Sequence, residues 1–301
     1  MMKSGNGWKA LGASVQGASH IRNDLPNQDA LKIEKLEKSG QYYHIISLSD
    51  GHGSSQCPYS DEGSKAAVAT VSAVFRSIFE EKSDPFHTIS ANKDMWLPKQ
   101  IERHWKQSVQ SIHKKMGRGD NGDCHAFPYE LYGATLLTLV AADDFVFVLQ
   151  LGDGDILSVE GLRIDWVIPP EEVLGPETYS LCQEDSWQYM KTRIIFNRNQ
   201  EKNQEMTQEK NQEKNQEKNQ KNQEKNKGQK APGQFFLLAT DGYSNSFYND
   251  EGFKKVGADF YKLWQEEGPT YIEENLKGWL MESSAQGSGD DITLALVQNC
   301  F

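Results

Sequence analysis

The chain has little cysteine, no long apolar run and no surplus of positive charge. Its four cysteines, Cys57, Cys124, Cys182 and Cys300, are scattered and form no Cys-x-x-Cys pair. That argues against a disulfide framework and against a zinc site, and for reduced thiols in a cytosol. No stretch approaches the roughly 18 apolar residues of a membrane span, and Met1 to Gly7 leads into no apolar leader core. The formal net charge is -11. Residues 201–230 hold six Glu and eight Lys, so they contribute +2 and the remainder carries -13. Such a surface disfavours unspecific binding to nucleic acid or to an anionic membrane, and suits metal cations and basic protein partners. The expectation is a soluble, cytoplasmic protein.

What is present is core material. Hydrophobic residues make up 37% of the 301-residue chain, with seven Trp and thirteen Phe. Trp8–Gln16, Ala30–Leu36 and Tyr42–Ser49 read as strands. Helical spacing follows over Asp61–Glu81 and Met95–Met116. Strands return at Ala134–Val140, Phe145–Leu151, Ile156–Val159, Leu162–Val167, Tyr189–Phe196 and Gln234–Thr240. Helical patterns over Glu251–Trp264 and Thr270–Ser283 precede a last strand, Ile292–Val297. This order predicts an α+β fold with mainly antiparallel sheet. Because the first and last strands can share one core, residues 1–301 read as a single domain. Trp96, Trp105, Trp264 and Trp279 are expected in the core, and His44, inside an apolar strand, is expected to be structural.

Residues 197–230 repeat Asn-Gln-Glu-Lys imperfectly and lack aromatic and β-branched aliphatic residues. They cannot bury enough surface to offset their ordering entropy, and glutamates four apart would stack like charges on a helix. The segment therefore reads as a disordered insertion within the domain.

Five aspartates stand at the ends of apolar runs: Asp29, Asp50, Asp153, Asp241 and Asp290. Carboxylates delivered to one cleft repel one another strongly unless cations neutralise them. Oxygen-only ligation favours hard ions such as Mg2+ or Mn2+, which suit phosphate chemistry. In isolation each motif has a plain alternative. Asp50-Gly51-His52-Gly53 and Gly152-Asp153-Gly154-Asp155 could be turns, Asp241-Gly242 a strand end, Asp290-Asp291 a solvated turn. Gly133-Ala134-Thr135 could simply start a strand, and Cys57 could be an ordinary loop cysteine or a redox-sensitive thiol.

Taken in order, the motifs resemble the metal-dependent protein phosphatases of type 2C, in their short bacterial form. The series is Gln28-Asp29, Asp50-Gly51-His52-Gly53, Gly133-Ala134-Thr135, Gly152-Asp153, Thr240-Asp241-Gly242 and Gly289-Asp290-Asp291-Ile292-Thr293. The resemblance runs from about Gly12 to Val297. It implies a central antiparallel β-sandwich with helices on both faces, a four-layer αββα arrangement. It implies two Mn2+ or Mg2+ ions, with Asp50 bridging them and the Gly51 carbonyl binding one. Asp241 and Asp290 would complete the second ion's sphere, Asp29 would act directly or through water, and Asp153 would hold a third, weaker ion. Water activated between the two main ions would attack phosphorus without a phosphoenzyme. His52 would be the general acid for the serine or threonine leaving group. Phosphoprotein substrates, signalling opposite a kinase and a monomeric state are implied with it.

The chain departs from the family pattern in places. Where the family sets a phosphate-binding arginine, this chain has Asp24; Arg22 is assigned the phosphate role, with His20 a neighbouring basic candidate. Gln28 replaces a common glutamate, and Gly154-Asp155 replaces a common Ser-Arg. The flap between Gly161 and Lys191 is hard to match. These departures suit a rival reading, a pseudophosphatase that binds phosphoproteins or signalling partners without turnover. The crowded carboxylates oppose it, because idle charges there would cost stability. A third reading makes the Asn-Gln-Glu-Lys segment a docking element.

Overall fold

A computed structural model of the chain describes residues 7–118, 127–161, 163–170, 178–196 and 234–300. The insertion expected at 197–230 lies outside the described residues. Among the described residues, ten strands form two antiparallel sheets. In the first the order is β1 (Gly7–Val15), β10 (Ile292–Cys300), β9 (Phe235–Ala239), β6 (Asp155–Glu160) and β7 (Arg163–Trp166). In the second it is β2 (Ala30–Lys38), β3 (Gln41–Ser49), β4 (Leu136–Ala141), β5 (Phe145–Leu151) and β8 (Lys191–Phe196).

The strand sequences look continuously apolar because most central strands are buried on both faces. Phe236, Leu238, Ala295 and Val297 meet Ile46, Leu48, Leu137, Leu139 and Val148 in the interior between the sheets. On β9 and β10 the alternate residues Phe235, Leu237, Leu294 and Leu296 face outward against helices α6 (Asp250–Glu266) and α7 (Pro269–Gln286). On the opposite face, Phe145, Phe147 and Leu149 pack against α2 (Ser60–Glu81) and α4 (Trp96–Lys115). The result is the α+β, four-layer arrangement expected from the sequence.

Helix α4 buries Leu97, Ile101, Trp105 and Val109, spaced by four along one face. Trp105 is fully buried and donates its ring N–H to the Gly63 carbonyl of α2 at 2.9 Å. Trp264 is buried and Trp279 packs at the edge of the core. Trp96 departs from its expected core position and is 40% exposed. It precedes Leu97 by one residue, which turns it about 100° off the buried stripe. His44 is buried as expected, and burial with nearby Lys35 lowers its pKa to about 4. Three short helices add to the sequence reading: α1 (Ala18–Arg22), α3 (Pro85–Asn92) and α5 (Asp241–Ser244). Among the described residues, no helix is long and apolar enough to cross a membrane.

Candidate metal centre

Antiparallel pairing explains why aspartates far apart in sequence meet. Ala30 pairs with Ser49, so Asp29 and Asp50 lie at one end of β2 and β3. Leu136 pairs with Leu151, which brings the start of β4 and the turn carrying Asp153 to that same end. Asp155 pairs with Ala239 and Leu294 with Ala239, which places Asp241 and Asp290 at the corresponding end of the other sheet. Single carboxylate oxygens of Asp50, Asp153 and Asp241 all lie within 4.8 Å of one another.

The electrostatics extend this trio to all five residues. Burial pushes the Asp50 carboxyl well above its ordinary range, and the charges of Asp29, Asp241 and Asp290 push it further. Asp241 is raised by burial first, then by Asp153 and Asp290, while a hydrogen bond with Asp50 opposes the rise. Asp29 is raised to about 7 by burial, against hydrogen bonds from Thr293 and Thr240 and with the charges of Asp291 and Asp241. Groups that resist ionisation together lose that resistance when a cation joins them.

The rest of the site is scaffolding for these carboxylates. Asp50 donates its backbone N–H to Thr135 Oγ1 at 3.0 Å, and its carbonyl accepts the Thr135 N–H at 2.8 Å. Gly51 forms a β-bridge with Ala134, and His52 donates its N–H to the Gly133 carbonyl at 3.1 Å. Gly133-Ala134-Thr135 therefore holds the Asp50 loop in place, a role that the sequence alone did not assign. A Cβ on Gly133 would stand 2.5 Å from His52 Cδ2 and 3.4 Å from the sulfurs of Cys57 and Cys182. Only glycine leaves room there for the imidazole. Thr240 Oγ1 donates to Asp29 Oδ2 at 2.8 Å and accepts the Thr293 N–H at 3.0 Å. Asp153 accepts a hydrogen bond from the Thr178 hydroxyl.

His52 is partly buried. Burial lowers its pKa, and the neighbouring Asp153 charge acts against that lowering. Arg22 is exposed at the end of α1, with Nη2 3.9 Å from the point where Gly289 would carry a Cβ. His20 is the buried basic side chain, with Nδ1 2.9 Å from Asp291 Oδ2 and Nε2 3.6 Å from Asp290 Oδ1. Asp291 is not among the site residues expected from the sequence. Its signal was available: two adjacent aspartates at the start of a buried strand must point opposite ways, so one turns inward.

The donor set fits a hard divalent cation. Every candidate ligand is an oxygen, and Asp29 Oδ1 and Gln28 Oε1 are buried acceptors without a hydrogen-bond partner. Two unpaired buried acceptors beside crowded carboxylates are costly in a metal-free fold and are what a cation with its water shell would satisfy.

Comparison with known proteins agrees with this fold. Over nearly its whole length the chain is similar in structure to a bacterial serine phosphatase, at 15% identity and a TM-score of 0.56, covering 97% of each chain. It is similar to the serine/threonine phosphatase Stp1 from Staphylococcus aureus, at 16% identity and a TM-score of 0.56, covering 99% of this chain and 97% of that one. A third structure is the catalytic domain of the serine/threonine phosphatase PstP in complex with two manganese ions. It is 14% identical with a TM-score of 0.54, covering 97% of this chain and 98% of that one. At such identities the likeness shows the fold. No curated protein matches the sequence. The sequence model of protein phosphatase 2C matches residues 16–281, most of the chain, and on that ground this chain belongs to the protein phosphatase 2C family.

Proposed function

We propose that the chain hydrolyses phosphoserine and phosphothreonine in proteins at a binuclear Mn2+ or Mg2+ centre. The observation that carries this reading is the convergence of Asp50, Asp153 and Asp241 within 4.8 Å beside the unpaired Asp29 Oδ1, in a chain of this family. Asp50 and the Gly51 carbonyl would hold the first ion, with Asp50 shared by the second. Asp241 and Asp290 would complete the second site, with Asp29 reaching it directly or through water. Asp153 would serve a third, weaker ion. Bound ions supply neutralisation of phosphoryl charge and acidification of water.

The protein's own groups do the rest. The rigid Asp50–Thr135 bonds fix the ligand geometry before substrate arrives. His52 protonates the departing serine or threonine oxygen, a poor leaving group that needs a proton near neutral pH. Asp153 favours the protonated ring that this step requires. Arg22, exposed beside Gly289, would contact the substrate phosphate. Signalling opposite a serine/threonine kinase follows from the same substrate class.

The test is phosphate release from a phosphothreonine peptide with Mn2+, comparing wild type, Asp50→Ala and wild type with EDTA. Turnover abolished by both changes supports the centre. A folded wild type that is inactive with Mn2+ and Mg2+ on several peptides sinks the proposal.

A further inference from the structure

The adjacent pair Asp290-Asp291 splits into an outward and an inward carboxylate. The Asp290 side chain is 52% exposed, whereas that of Asp291 is 2% exposed. Asp291 Oδ1 accepts the Gly17 N–H at 2.6 Å and Oδ2 accepts the Gln28 N–H at 2.6 Å. His20 Nδ1 stands 2.9 Å from that same Oδ2, a close polar contact without hydrogen-bond alignment. Gly17 lies at the second position of the connection between β1 and β2, and Gln28 near its end, immediately before Asp29. One buried carboxylate thus grips both ends of the segment that delivers Asp29, from a position next to Asp290.

Neighbouring bonds point the same way. The Gly289 carbonyl accepts the Ser19 N–H at 2.8 Å and its hydroxyl at 2.6 Å. Ser284 Oγ accepts the Ala18 N–H at 3.0 Å and donates to the Asp290 carbonyl at 2.8 Å. A Cβ on Gly17 would overlap the Asp290 carbonyl carbon, so the two segments approach as closely as backbone allows. The strands themselves do not depend on this clamp, because β1 pairs with β10 along its length from Gly7 to Val15.

We propose that Asp291, supported by His20, is a positioning residue for the cation site: it fixes Asp29 relative to Asp290 and ligates no ion itself. The inference rests on the phosphatase reading only for what the site binds. Replacing Asp291 with asparagine keeps the shape but sets an amide NH2 against one of two backbone donors. That would leave one N–H unsatisfied and let Asp29 drift. Asparagine at position 20 can keep a polar atom near the place of the imidazole Nδ1, in contact with Asp291, whereas alanine cannot.

The experiment is Mn2+ titration calorimetry on the full chain, for wild type, Asp291→Asn, His20→Ala and His20→Asn. It is paired with turnover of a phosphothreonine peptide as a function of Mn2+. Outer-shell partners of this kind are worth roughly 10- to 100-fold in metal affinity, and that weakening is expected for Asp291→Asn. Its kcat at saturating Mn2+ should return to within about threefold of wild type, because the chemistry is untouched. His20→Ala should also bind Mn2+ more weakly, with His20→Asn recovering part of the loss. Wild-type affinity in Asp291→Asn, or a kcat that stays low at saturating Mn2+, overturns the proposal. If Asp291→Asn does not fold, equal Mn2+ affinity in the two His20 variants overturns it instead. A wild type that binds Mn2+ but turns over nothing would sink the phosphatase reading and leave calorimetry to judge the clamp.

Discussion

Single side chains in this site carry opposite consequences for stability and for activity. Asp50 is buried among Asp29, Asp241 and Asp290, and each of those charges resists its ionisation. Replacing it with asparagine keeps the shape and removes the charge. In EDTA at neutral pH, Asp50→Asn is expected to unfold at a higher temperature than wild type, while Mn2+-dependent turnover disappears. A variant no more stable than wild type would mean that the carboxylate crowding is not a real cost. His52 makes a different separation. General acid catalysis contributes roughly 10²- to 10⁴-fold, so His52→Ala should lose that much kcat on a phosphothreonine peptide. It should lose far less on p-nitrophenyl phosphate, whose phenolate leaves without help. Equal losses on both substrates would remove His52 from the acid role. Because burial lowers its pKa, the acid form should be depleted as pH rises, and peptide turnover should fall on the alkaline side first.

Elements show what was legible in the sequence and what was not. The long strands and the four long helices could be read because burial on fixed faces leaves a period of two or of 3.6. Helix α3 escaped because its eight residues expose no repeated apolar stripe, burying only Pro85 and Ile89. The five aspartates could be read because each follows or precedes an apolar run in a recognisable order. The roles of Thr135 and Thr240 could not: they act through bonds to backbone or across strands, and such bonds leave no local pattern. Gly133 is the sharpest case, since its small size matters chiefly because His52 packs against it. Gly133→Ala is expected to displace the imidazole and lower kcat on peptide by an amount comparable to His52→Ala, with the folded sandwich retained. Circular dichroism alongside turnover would check it, and an alanine variant of normal kcat would show that the ring has room to shift.

At the scale of the whole molecule, the acidic cleft couples folding to pH and to cations. Asp29 has a folded pKa of about 7 against an ordinary value of 3.8. A carboxyl raised in this way binds more protons folded than unfolded between those values. Its stabilising contribution is complete below the unfolded pKa and is lost as pH rises through the folded one. The metal-free protein should therefore lose stability between about pH 4 and pH 7, on the order of 1 kcal/mol per unit for such a group. A cation that binds only the folded state restores about 2.7 kcal/mol when present at roughly 100 times its Kd. It competes with protons for the same oxygens, so its effect must grow with pH. The measurement is thermal unfolding near pH 5 and near pH 8, with EDTA and with Mn2+, for wild type and Asp29→Asn. Wild type should gain little from Mn2+ at the lower pH and several degrees at the higher one. The asparagine variant should show a flatter metal-free profile and a smaller Mn2+ gain. If Mn2+ raised the wild-type Tm equally at both pH values, the carboxylates would already be ionised without it, and the cleft would not be the proton-linked cation site that its burial implies.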